Sequence, residues 1–455
     1  MFSNDMPLLG QSTMELEQNH DIETDLQVQQ VLLASSHHNI EALRTLLRTG
    51  SASVQDPETG FTPLHAAIAT CEQSSPPSQG VAQPNGATVN GHEHDVASEE
   101  QEGFKDEDME AAAKTMRLLL QNGAIWNDLD TNNETPGCLA RRLGLNKLYD
   151  IMVDAGVRAE MLLNRLDEYE MLRDKEDDEE KREEKEDKED EEASQGIGRK
   201  DDEVPGLGAH NDQTGTSENM PAKGTQPDTS NPSAASPTSS GYLQSSLTFQ
   251  PTRILDSAQN GVMMSWETPI MELTADILCP QRGLRVLNVG HGMGIVDEFF
   301  QSKNPSMHHI IEAHPSVIEH MKVSGWHEKP GVTIHQGNWQ SVLPKIIEQG
   351  ILFDAVYFDT FAEDYKALRD FFSDFLIGIL DEGGKWGFFN GLGADRQVCY
   401  DVYCKVVEMD LFEAGFDTAW ETMEVKDMDK EEWEGVKRRY WVLEQYKLPI
   451  CEFVA

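Results

Sequence analysis

The C-terminal half of the chain alternates short apolar runs with stretches of helical periodicity. Apolar runs bounded by turn residues are typical of buried strands, and the segments between them repeat apolar positions at the three- and four-residue spacing of helices. This alternation predicts an α/β domain at residues 239–455 with a Rossmann-like, mostly parallel seven-stranded sheet covered by helices on both faces. The predicted strands are Arg285–Val289, His308–Glu312, Val332–Gln336, Phe353–Phe358, Lys385–Asn390, Thr418–Val425 and Tyr440–Gln445.

The N-terminal part has helical periodicity instead. Residues 26–68 contain a predicted helix pair, and within them the stretch Gly60–Ala69 reads GFTPLHAAIA, the Thr-Pro-Leu-His-x-Ala signature of an ankyrin repeat. Met116–Gly123 and Glu134–Ala140 repeat this pattern in degenerate form. We therefore predict a small α-helical ankyrin-like domain at residues 26–168, with a disordered insertion at about 72–108. Such an array either recruits a protein partner or only folds against itself.

Two consecutive segments between these domains have no apolar face to bury. From Asp174 to Glu192 every residue is charged, 14 acidic against 5 basic, and Asp201–Gly241 is rich in Pro, Ser, Thr and Gly. These compositions predict an acidic, low-complexity linker at residues 172–238. A solvated spacer is the simpler interpretation, and recruitment of basic substrates is the alternative.

Composition limits the partners and the compartment. With 455 residues the chain is long enough for two or three domains, and a formal net charge of -44 disfavours direct contact with nucleic acid while favouring basic or guanidinium-bearing partners. The six cysteines form no Cys-x-x-Cys pair, so we expect a reduced protein without a structural metal. No leader and no apolar segment long enough to span a bilayer is recognisable, so we expect the protein in the cytoplasm and nucleus and away from membranes. We also expect a monomer.

The stretch Val286–Ile295, VLNVGHGMGI, predicts a buried strand that leads into a glycine-rich turn and then a helix. Glycines at 290, 292 and 294 allow the backbone to approach a ligand without interference from Cβ atoms. The next apolar run ends in Glu312, at the distance where a carboxylate accepts hydrogen bonds from ribose hydroxyls. The pair predicts S-adenosyl-L-methionine rather than a dinucleotide, although a plain tight turn has the same glycine pattern.

Two carboxylates stand where a substrate would meet this cofactor. Asp359 ends the predicted strand Phe353–Phe358, and Glu267 precedes a helix that begins near Pro269. Two carboxylates can grip the planar fork of a guanidinium group and align one nitrogen with a methyl donor. Alternatively, Asp359 caps the following helix and Glu267 pairs with a surface cation. Likewise, Trp339 either stacks on adenine or fills the core.

Five motifs together resemble the guanidinoacetate methyltransferase-related group of class I S-adenosylmethionine-dependent methyltransferases. They are VMMSWETPIM at 262–271, VGHGMGI at 289–295, IIEAH at 310–314, GNW at 337–339 and YFDTF at 357–361. The ankyrin-like N-terminal part is similar more narrowly to the fungal-type, type IV protein arginine N-methyltransferases, which modify the δ nitrogen (N5) of arginine residues.

The resemblance implies a set of site residues. Glu267 and Asp359 would hold the guanidino group as catalytic residues. The cofactor contacts would be Tyr242, Met263, Met271, Gly290, His291, Gly292, Met293, Gly294, Ile295, Glu312, Ala313, His314, Asn338, Trp339 and Asp359. The Thr-Ser pair with which the small-molecule enzyme contacts its substrate is replaced by Leu392-Gly393. This departure disfavours free guanidinoacetate, and glycines at 391 and 393 would open the site to an arginine on a polypeptide.

Three functions remain open on the sequence. The first is a protein arginine methyltransferase, for which the family analogy suggests a ribosomal protein as substrate. The second is an enzyme that methylates a small guanidino metabolite such as guanidinoacetate. The third is an ankyrin-type interaction protein whose methyltransferase-like domain binds the cofactor but is inactive. The intact pair of Glu267 and Asp359 favours an active enzyme.

Overall fold

A computed structural model describes residues 26–71, 106–166, 238–426 and 432–454. The predicted insertion at 72–108 and the predicted linker at 172–238 lie almost entirely outside these ranges and stay predictions. The chain divides into two compact units, one formed by Met1–Val157 with Thr238–Ala455 and the other by Arg158–Pro237. Of the second unit only the last part of one helix, up to residue 166, is described, so the elements below belong to the first.

The N-terminal part consists of three consecutive helix pairs: α1 (residues 26–36) and α2 (Ile40–Leu46), α3 (Pro63–Ala69) and α4 (Asp106–Gln121), and α5 (Pro136–Arg142) and α6 (residues 146–166). Thr62 and Thr135 cap α3 and α5, and each side chain accepts a hydrogen bond from a backbone amide of the first turn. Each of these two helices follows a tight turn organised by an aspartate, Asp56 or Asp130, whose Oδ1 accepts two backbone N–H bonds.

Ten strands in two sheets are found in the described residues. A three-stranded antiparallel sheet contains β1 (Thr248–Gln250), β2 (Arg253–Leu255) and β3 (Gly261–Met264). A seven-stranded sheet contains β4 (Arg285–Val289), β5 (Met307–Glu312), β6 (Val332–Gln336), β7 (Phe353–Phe358), β8 (Leu380–Phe388), β9 (Phe416–Glu424) and β10 (Gln445–Phe453).

The large sheet has the strand order β6-β5-β4-β7-β8-β10-β9. Strands β4 to β8 pair in parallel, whereas β10 is antiparallel to both of its neighbours. β4 lies inside the sheet between β5 and β7, and its residues Val286 and Leu287 are completely buried because both faces of the sheet are covered. The mostly parallel, seven-stranded Rossmann-like sheet of class I methyltransferases is therefore confirmed.

Where the structure describes the C-terminal part, it has seven further α-helices: α7 (Ser239–Gln244), α8 (Thr268–Leu278), α9 (Ile295–Ser302), α10 (Pro315–Val323), α11 (Trp339–Glu348), α12 (Tyr365–Asp370) and α13 (Gln397–Glu413). As predicted, α8 begins with Pro269 in its first turn. Because the order of the sheet reverses between β4 and β7, the loops after these strands diverge and leave a crevice at their carboxyl ends, which is where parallel sheets bind ligands.

The predicted strands differ from the structure mainly at the end of the chain. The four from Arg285 to Phe358 are confirmed to within one residue, and β9 matches closely, but β8 begins five residues before Lys385. The strand predicted at Tyr440–Gln445 is wrong. Trp441 and Leu443 are buried while Val442 is 53% exposed, so the segment alternates like a strand, although it lies in a connection without strand pairing and β10 starts only at Gln445.

Helix α13 contacts the N-terminal helices. Gly137 of α5 lies so close to it that a Cβ atom would sit 2.6 Å from Val398 Cγ2. The Tyr149 hydroxyl of α6 donates to Asp401 Oδ2 at 2.5 Å, and Asp154 lies 3.5 Å from Lys405. The N-terminal helices therefore pack directly against the domain that contains the sheet, although the two parts are far apart in the sequence. Among the described helices, none combines the length and hydropathy that a bilayer-spanning helix needs.

Candidate active site

The glycine turn after β4 lies between the carboxyl ends of the two neighbouring strands, β5 and β7. Gly290 has φ +97°, and a Cβ atom there would lie 1.9 Å from the Asp359 carbonyl oxygen at the end of β7. Its amide donates to the Ile311 carbonyl of β5 at 2.9 Å. Only glycine fits this position, since both the left-handed backbone and the close approach exclude a side chain. The turn thus exposes bare backbone at the sheet's carboxyl edge.

Glu312, at the end of β5, holds this turn. Its Oε2 accepts the His291 amide at 2.9 Å and its Oε1 accepts the His314 amide at 2.6 Å. An ionised carboxylate has about four acceptor sites, so about two remain for the hydroxyls of a ribose. The predicted role of Glu312 fits this arrangement, and the carboxylate also fixes the backbone on either side of it.

A buried polar network supports the turn from below. The Asp297 carboxylate accepts from Asn288 Nδ2 at 2.9 Å, from His291 Nδ1 at 2.6 Å and from His308 Nε2 at 2.9 Å. Burial alone would raise the pKa of Asp297, but the hydrogen bonds from the two histidines outweigh it and lower this pKa to about 2. Among the described residues no group of His, Cys, Asp and Glu could hold a metal ion. Because its Nδ1 bonds to Asp297 and it is not among the lining residues of the cavity, His291 orients the turn from beneath.

A cavity of about 290 Å³ opens above the turn. Most of the predicted cofactor residues line it, namely Tyr242, Met263, Gly290, Gly292, Glu312, Ala313, Asn338, Trp339 and Asp359. Six others lie beside or beneath its wall: Met271, His291, Met293, Gly294, Ile295 and His314. Met271 packs in the hydrophobic core around Val286 because it lies on the inner face of α8, so direct cofactor contact by this residue is not supported.

Tyr242 and Met263 close the side of the cavity opposite the sheet. The Tyr242 ring packs against His314 and Phe361, with ring centroids 4.7 and 4.9 Å apart, and its carbonyl oxygen lies 3.2 Å from His314 Nε2. The Met263 sulfur accepts the Met293 amide at 3.2 Å. Residues from before β1 and from β3 thus reach over the glycine turn, and His314 and Met293 contribute by holding them.

Trp339 serves the core as well as the cavity. It is 3% exposed, and its ring packs against Phe358, Phe371 and Phe375. Its indole N–H donates to both carboxylate oxygens of Glu363, at 3.1 and 3.0 Å, and Glu363 also lines the cavity. The indole is therefore fixed by packing and by one carboxylate, and only part of it borders the ligand space. The core interpretation of Trp339 is therefore confirmed, and stacking on adenine stays a prediction.

The two predicted catalytic carboxylates both face the cavity. Glu267 is 4% exposed, and its Oε1 accepts the Met264 amide at 3.2 Å and the Tyr440 hydroxyl. Asp359 Oδ2 is buried without a hydrogen-bond partner among the described residues. Burial and the nearby Asp359 raise the pKa of Glu267 to about 8, and burial together with Asp297 raises the pKa of Asp359 to about 7. Asp359 does not cap the next helix, α12, whose N-cap is Asp364. Glu267 caps the short 3-10 helix Ser265–Glu267 through the Met264 amide, but it is 4% exposed and forms no surface ion pair within the described residues.

Several lining residues were not predicted from the sequence. They are Thr360, Phe361, Glu363, Phe389 and Tyr440. All lie in loops of the structure, and the sequence analysis assigned none of them a role in the site. Leu392 and Gly391 were expected at the site from the departure at Leu392-Gly393. Gly391 lines the cavity as expected. Gly393 does not, because its φ of +67° and a Cβ position 2.8 Å from Cys399 show that it is required where the loop approaches α13.

The residues present fit S-adenosylmethionine. The glycine turn offers bare backbone, Glu312 has acceptor sites left for a diol, and Asp359 Oδ2 lacks a partner next to the space where a cationic sulfonium centre would lie. No Lys or Arg is found among the described residues that line the cavity, so its wall favours cationic over anionic ligands.

Comparison of the sequence with known proteins agrees with this geometry. Residues 244–435 match the family model of guanidinoacetate N-methyltransferase. A protein arginine N-methyltransferase 2 from Aspergillus fumigatus is 54% identical over 94% of this chain and 97% of its own length. Proteins of the same name from Emericella nidulans and Neurospora crassa are 52% and 42% identical, over 95% and 94% of this chain and 98% and 96% of their own lengths.

Two solved structures that are similar to the chain each cover less than half of it. The O-methyltransferase TomG from Streptomyces achromogenes, in complex with SAM, aligns with a TM-score of 0.31 and 13% identity over 41% of this chain and 80% of that chain. A ribosomal protein L11 methylase from Lactobacillus delbrueckii subsp. bulgaricus aligns with a TM-score of 0.29 and 14% identity over 44% and 84%. The fold assignment depends on the strand order described above.

Proposed function

This chain belongs to the protein arginine N-methyltransferase 2 family, and we propose that it transfers a methyl group from S-adenosylmethionine to the δ nitrogen of an arginine side chain in a protein substrate. The observation that carries the proposal is the buried pair of carboxylates, Glu267 and Asp359, beside the glycine turn. Burial and neighbouring carboxylates raise the pKa values of both groups, and no Lys or Arg among the described lining residues offsets this rise.

The charges of the two reactants match those of the site. S-adenosylmethionine, when bound, supplies an electrophilic methyl group on a sulfonium sulfur, which leaves as a neutral thioether with the electron pair of the broken S–C bond. The arginine guanidinium brings a second positive charge. Two ionised carboxylates balance both, so we expect ligand binding to lower the pKa values of Glu267 and Asp359 and to release their protons.

The carboxylates also orient the acceptor and take its proton. A guanidinium group is a planar fork of donors, and two carboxylates on one side of it leave the remaining nitrogen directed at the methyl group. The acceptor nitrogen forms its new N–C bond as its own proton passes to one of these carboxylates. Asp359 is the proposed acceptor, because its Oδ2 has no hydrogen-bond partner among the described residues and the residue lines the cavity.

The cavity wall favours an arginine on a polypeptide over a free guanidino acid. Guanidinoacetate carries a carboxylate that needs a cation or hydroxyls, whereas Leu392 lies in the wall where the small-molecule enzyme has its Thr-Ser pair, and the described lining residues include no Lys or Arg. Gly391 leaves that part of the wall without a side chain. The substrate main chain would pass there.

Methyl transfer with labelled cofactor tests the proposal. The full-length protein is incubated with labelled S-adenosylmethionine and extract from cells that lack it, with and without isolated ribosomal fractions, and the products are separated by size. Label in protein, which fragmentation mass spectrometry assigns to the δ nitrogen, is expected. Label confined to small molecules would overturn the protein substrate, and ω-methylated arginine would overturn the δ assignment. The ribosomal substrate stays a prediction that the fractions decide.

The N-terminal helix pairs are proposed to be an ankyrin-type array that binds the substrate protein or another partner. The support for this proposal comes from repeated turns and from a contact between successive helix pairs. The turns at Asp56 and Asp130 precede equivalent capped helices, and His65 Nε2 lies 3.0 Å from the Glu134 carbonyl oxygen, which connects successive pairs. The exposed turn residue Glu58 offers a test, because Glu58→Arg is expected to slow methylation of protein but not of an arginine peptide. Equal rates on both substrates would contradict the proposal.

A further inference from the structure

The connection between β9 and β10 borders the cavity of the candidate site. Its described part, residues 432–444, is fastened at several points: the Lys437 amide donates to the Gln259 carbonyl at 2.8 Å, Arg438 Nη2 to Asp395 Oδ2 at 2.6 Å, and the Val442 amide to the Ala394 carbonyl at 3.1 Å. A connection of this length inside a compact domain is typical of a functional loop.

Tyr440 is the residue of this connection that lines the cavity. Its ring packs against Trp433 and Trp266, with centroids 5.1 and 5.9 Å apart. Its hydroxyl donates to Glu267 Oε1, a contact between residues that are 173 positions apart in the sequence. The aromatic packing fixes the ring and therefore the position of the hydroxyl oxygen beside Glu267.

The hydrogen bonds of Glu267 are unequally divided between its two oxygens. Oε1 accepts both the Met264 amide and the Tyr440 hydroxyl, and Oε2 accepts nothing from the described residues. An oxygen with two donors has both of its in-plane lone pairs occupied. A proton on Glu267, or a donor of a bound ligand, therefore belongs on Oε2, which is the oxygen left for the cavity.

We propose that Tyr440 is a positioning residue for methyl transfer: by occupying Oε1 it holds the Glu267 carboxylate in one orientation and presents Oε2 to the guanidinium group of the substrate arginine. This inference rests on the proposed function of Glu267 as a guanidinium ligand. It gives the β9–β10 connection a part in the reaction, because the three anchors at Gln259, Ala394 and Asp395 determine where the phenol lies.

The hydroxyl also affects the ionisation of Glu267. Burial and Asp359 raise the pKa of this carboxyl, and the bonds from Tyr440 and the Met264 amide oppose that rise. The titratable groups around it are Asp359 and Tyr357 from β7 and its end, Tyr440 from the connection and Tyr446 from β10. The three tyrosines are neutral at the pH values used for assays, since burial raises their pKa values well above 10. Loss of the Tyr440 hydroxyl should therefore raise the pKa of Glu267 further.

The pH dependence of Tyr440→Phe tests this role. The initial rate of labelled methyl transfer is measured from pH 6 to 9.5 at limiting substrate protein, so that it reports relative kcat/KM. Loss of a charge-assisted hydrogen bond should move the acidic limb of the kcat/KM profile to higher pH by about one unit. Below this limb kcat/KM should then fall about tenfold, and above it kcat/KM should partly recover. The dissociation constant of S-adenosylhomocysteine should change less than about threefold, because the glycine turn is untouched.

Trp433→Phe is the matched control, because it changes the packing around the phenol but leaves its hydroxyl. Its acidic limb should stay at the wild-type pH even if the rate falls. A Tyr440→Phe profile that is lowered equally at every pH would reduce the residue to a packing role and overturn the proposal. The variant Glu267→Gln separates the two levels of inference: if it retains full activity, the proposed function of Glu267 fails, whereas if it is inactive and Tyr440→Phe shows no shift, only the positioning role fails.

Discussion

Replacing Glu267 by glutamine should stabilise the fold while it destroys activity. In the free protein the carboxyl is buried, and the pKa of Glu267 is raised to about 8 from an ordinary value of 4.5. A carboxyl whose pKa is raised on folding contributes stability that is fully present below its unfolded pKa and is lost as the pH rises through the folded pKa. Glutamine resembles the protonated acid, can still accept the Met264 and Tyr440 hydrogen bonds on its oxygen, and cannot ionise.

The size of the effect follows from the difference between the two pKa values. One pKa unit corresponds to about 1.4 kcal/mol, so keeping Glu267 protonated in the folded state costs about 2 kcal/mol of unfolding free energy at pH 6 and about 4 kcal/mol at pH 8. Glu267→Gln removes this cost. The stability difference between variant and wild type should therefore be small near pH 4.5, favour the variant above it, and grow by roughly 2 kcal/mol between pH 6 and pH 8.

Urea unfolding of the full-length protein, followed by tryptophan fluorescence at pH 5, 6, 7 and 8, measures this difference. The exposed Glu382→Gln in β8 is the matched control and should change the free energy of unfolding by less than about 0.5 kcal/mol at each pH. A stability difference that stays constant or shrinks as the pH rises would refute the reasoning, because the buried carboxyl would then not be the source of the pH dependence. Saturating S-adenosylhomocysteine supplies no sulfonium charge and should leave the trend in place.

Three other substitutions test other parts of the site. Asp359→Ala should abolish turnover while S-adenosylhomocysteine binding by calorimetry stays measurable, and unchanged turnover would remove this residue from the reaction. Gly290→Ala places a Cβ atom 1.9 Å from a carbonyl oxygen at φ +97°, so it should weaken cofactor binding at least about tenfold and lower stability by about 2–4 kcal/mol. Gly137→Val would overlap Val398 of α13, so a loss of about 2 kcal/mol is expected in urea unfolding, and a neutral result would show that this contact adjusts freely.

The sequence predicted those parts of the fold that are governed by continuous burial. β4, β5 and β7 lie inside the sheet, and a parallel strand covered on both faces is mostly apolar, so its two ends can be located in the sequence. Site residues at those ends, such as Glu312 and Asp359, were found for the same reason. β6 is at the edge of the sheet and only partly buried, so its position was predicted without continuous burial. The short strands β1 to β3 gave no comparable signal, because three or four residues are too few to establish an alternation.

Tyr440 was missed because it lies in a segment whose buried and exposed positions alternate as they do in a strand. Residues 440–445 alternate buried and exposed positions, because Trp441 and Leu443 fill an aromatic cluster with Tyr400 and Tyr446, and an unpaired extended segment shows the same alternation as a strand. Tyr440 was therefore taken as the start of a strand, although its hydroxyl contacts a carboxylate 173 positions away. No local pattern reveals such a contact, because it depends on how the connection is anchored to distant loops.

Exposed charge and buried charge have separate roles in this protein. The net charge of -44 acts through water, where salt screens charges that are separated by more than about 10 Å at 0.1 M, so it can accelerate the approach of a basic substrate but cannot select one nitrogen of one side chain. Glu267 and Asp359 are shielded from salt by burial, and their raised pKa values show that the free protein does not compensate them. In the complex, the guanidinium of the substrate arginine and the sulfonium of the cofactor would balance the two negative charges. The affinity for substrate should thus decline with salt, whereas the pH at which the carboxylates ionise should hardly move.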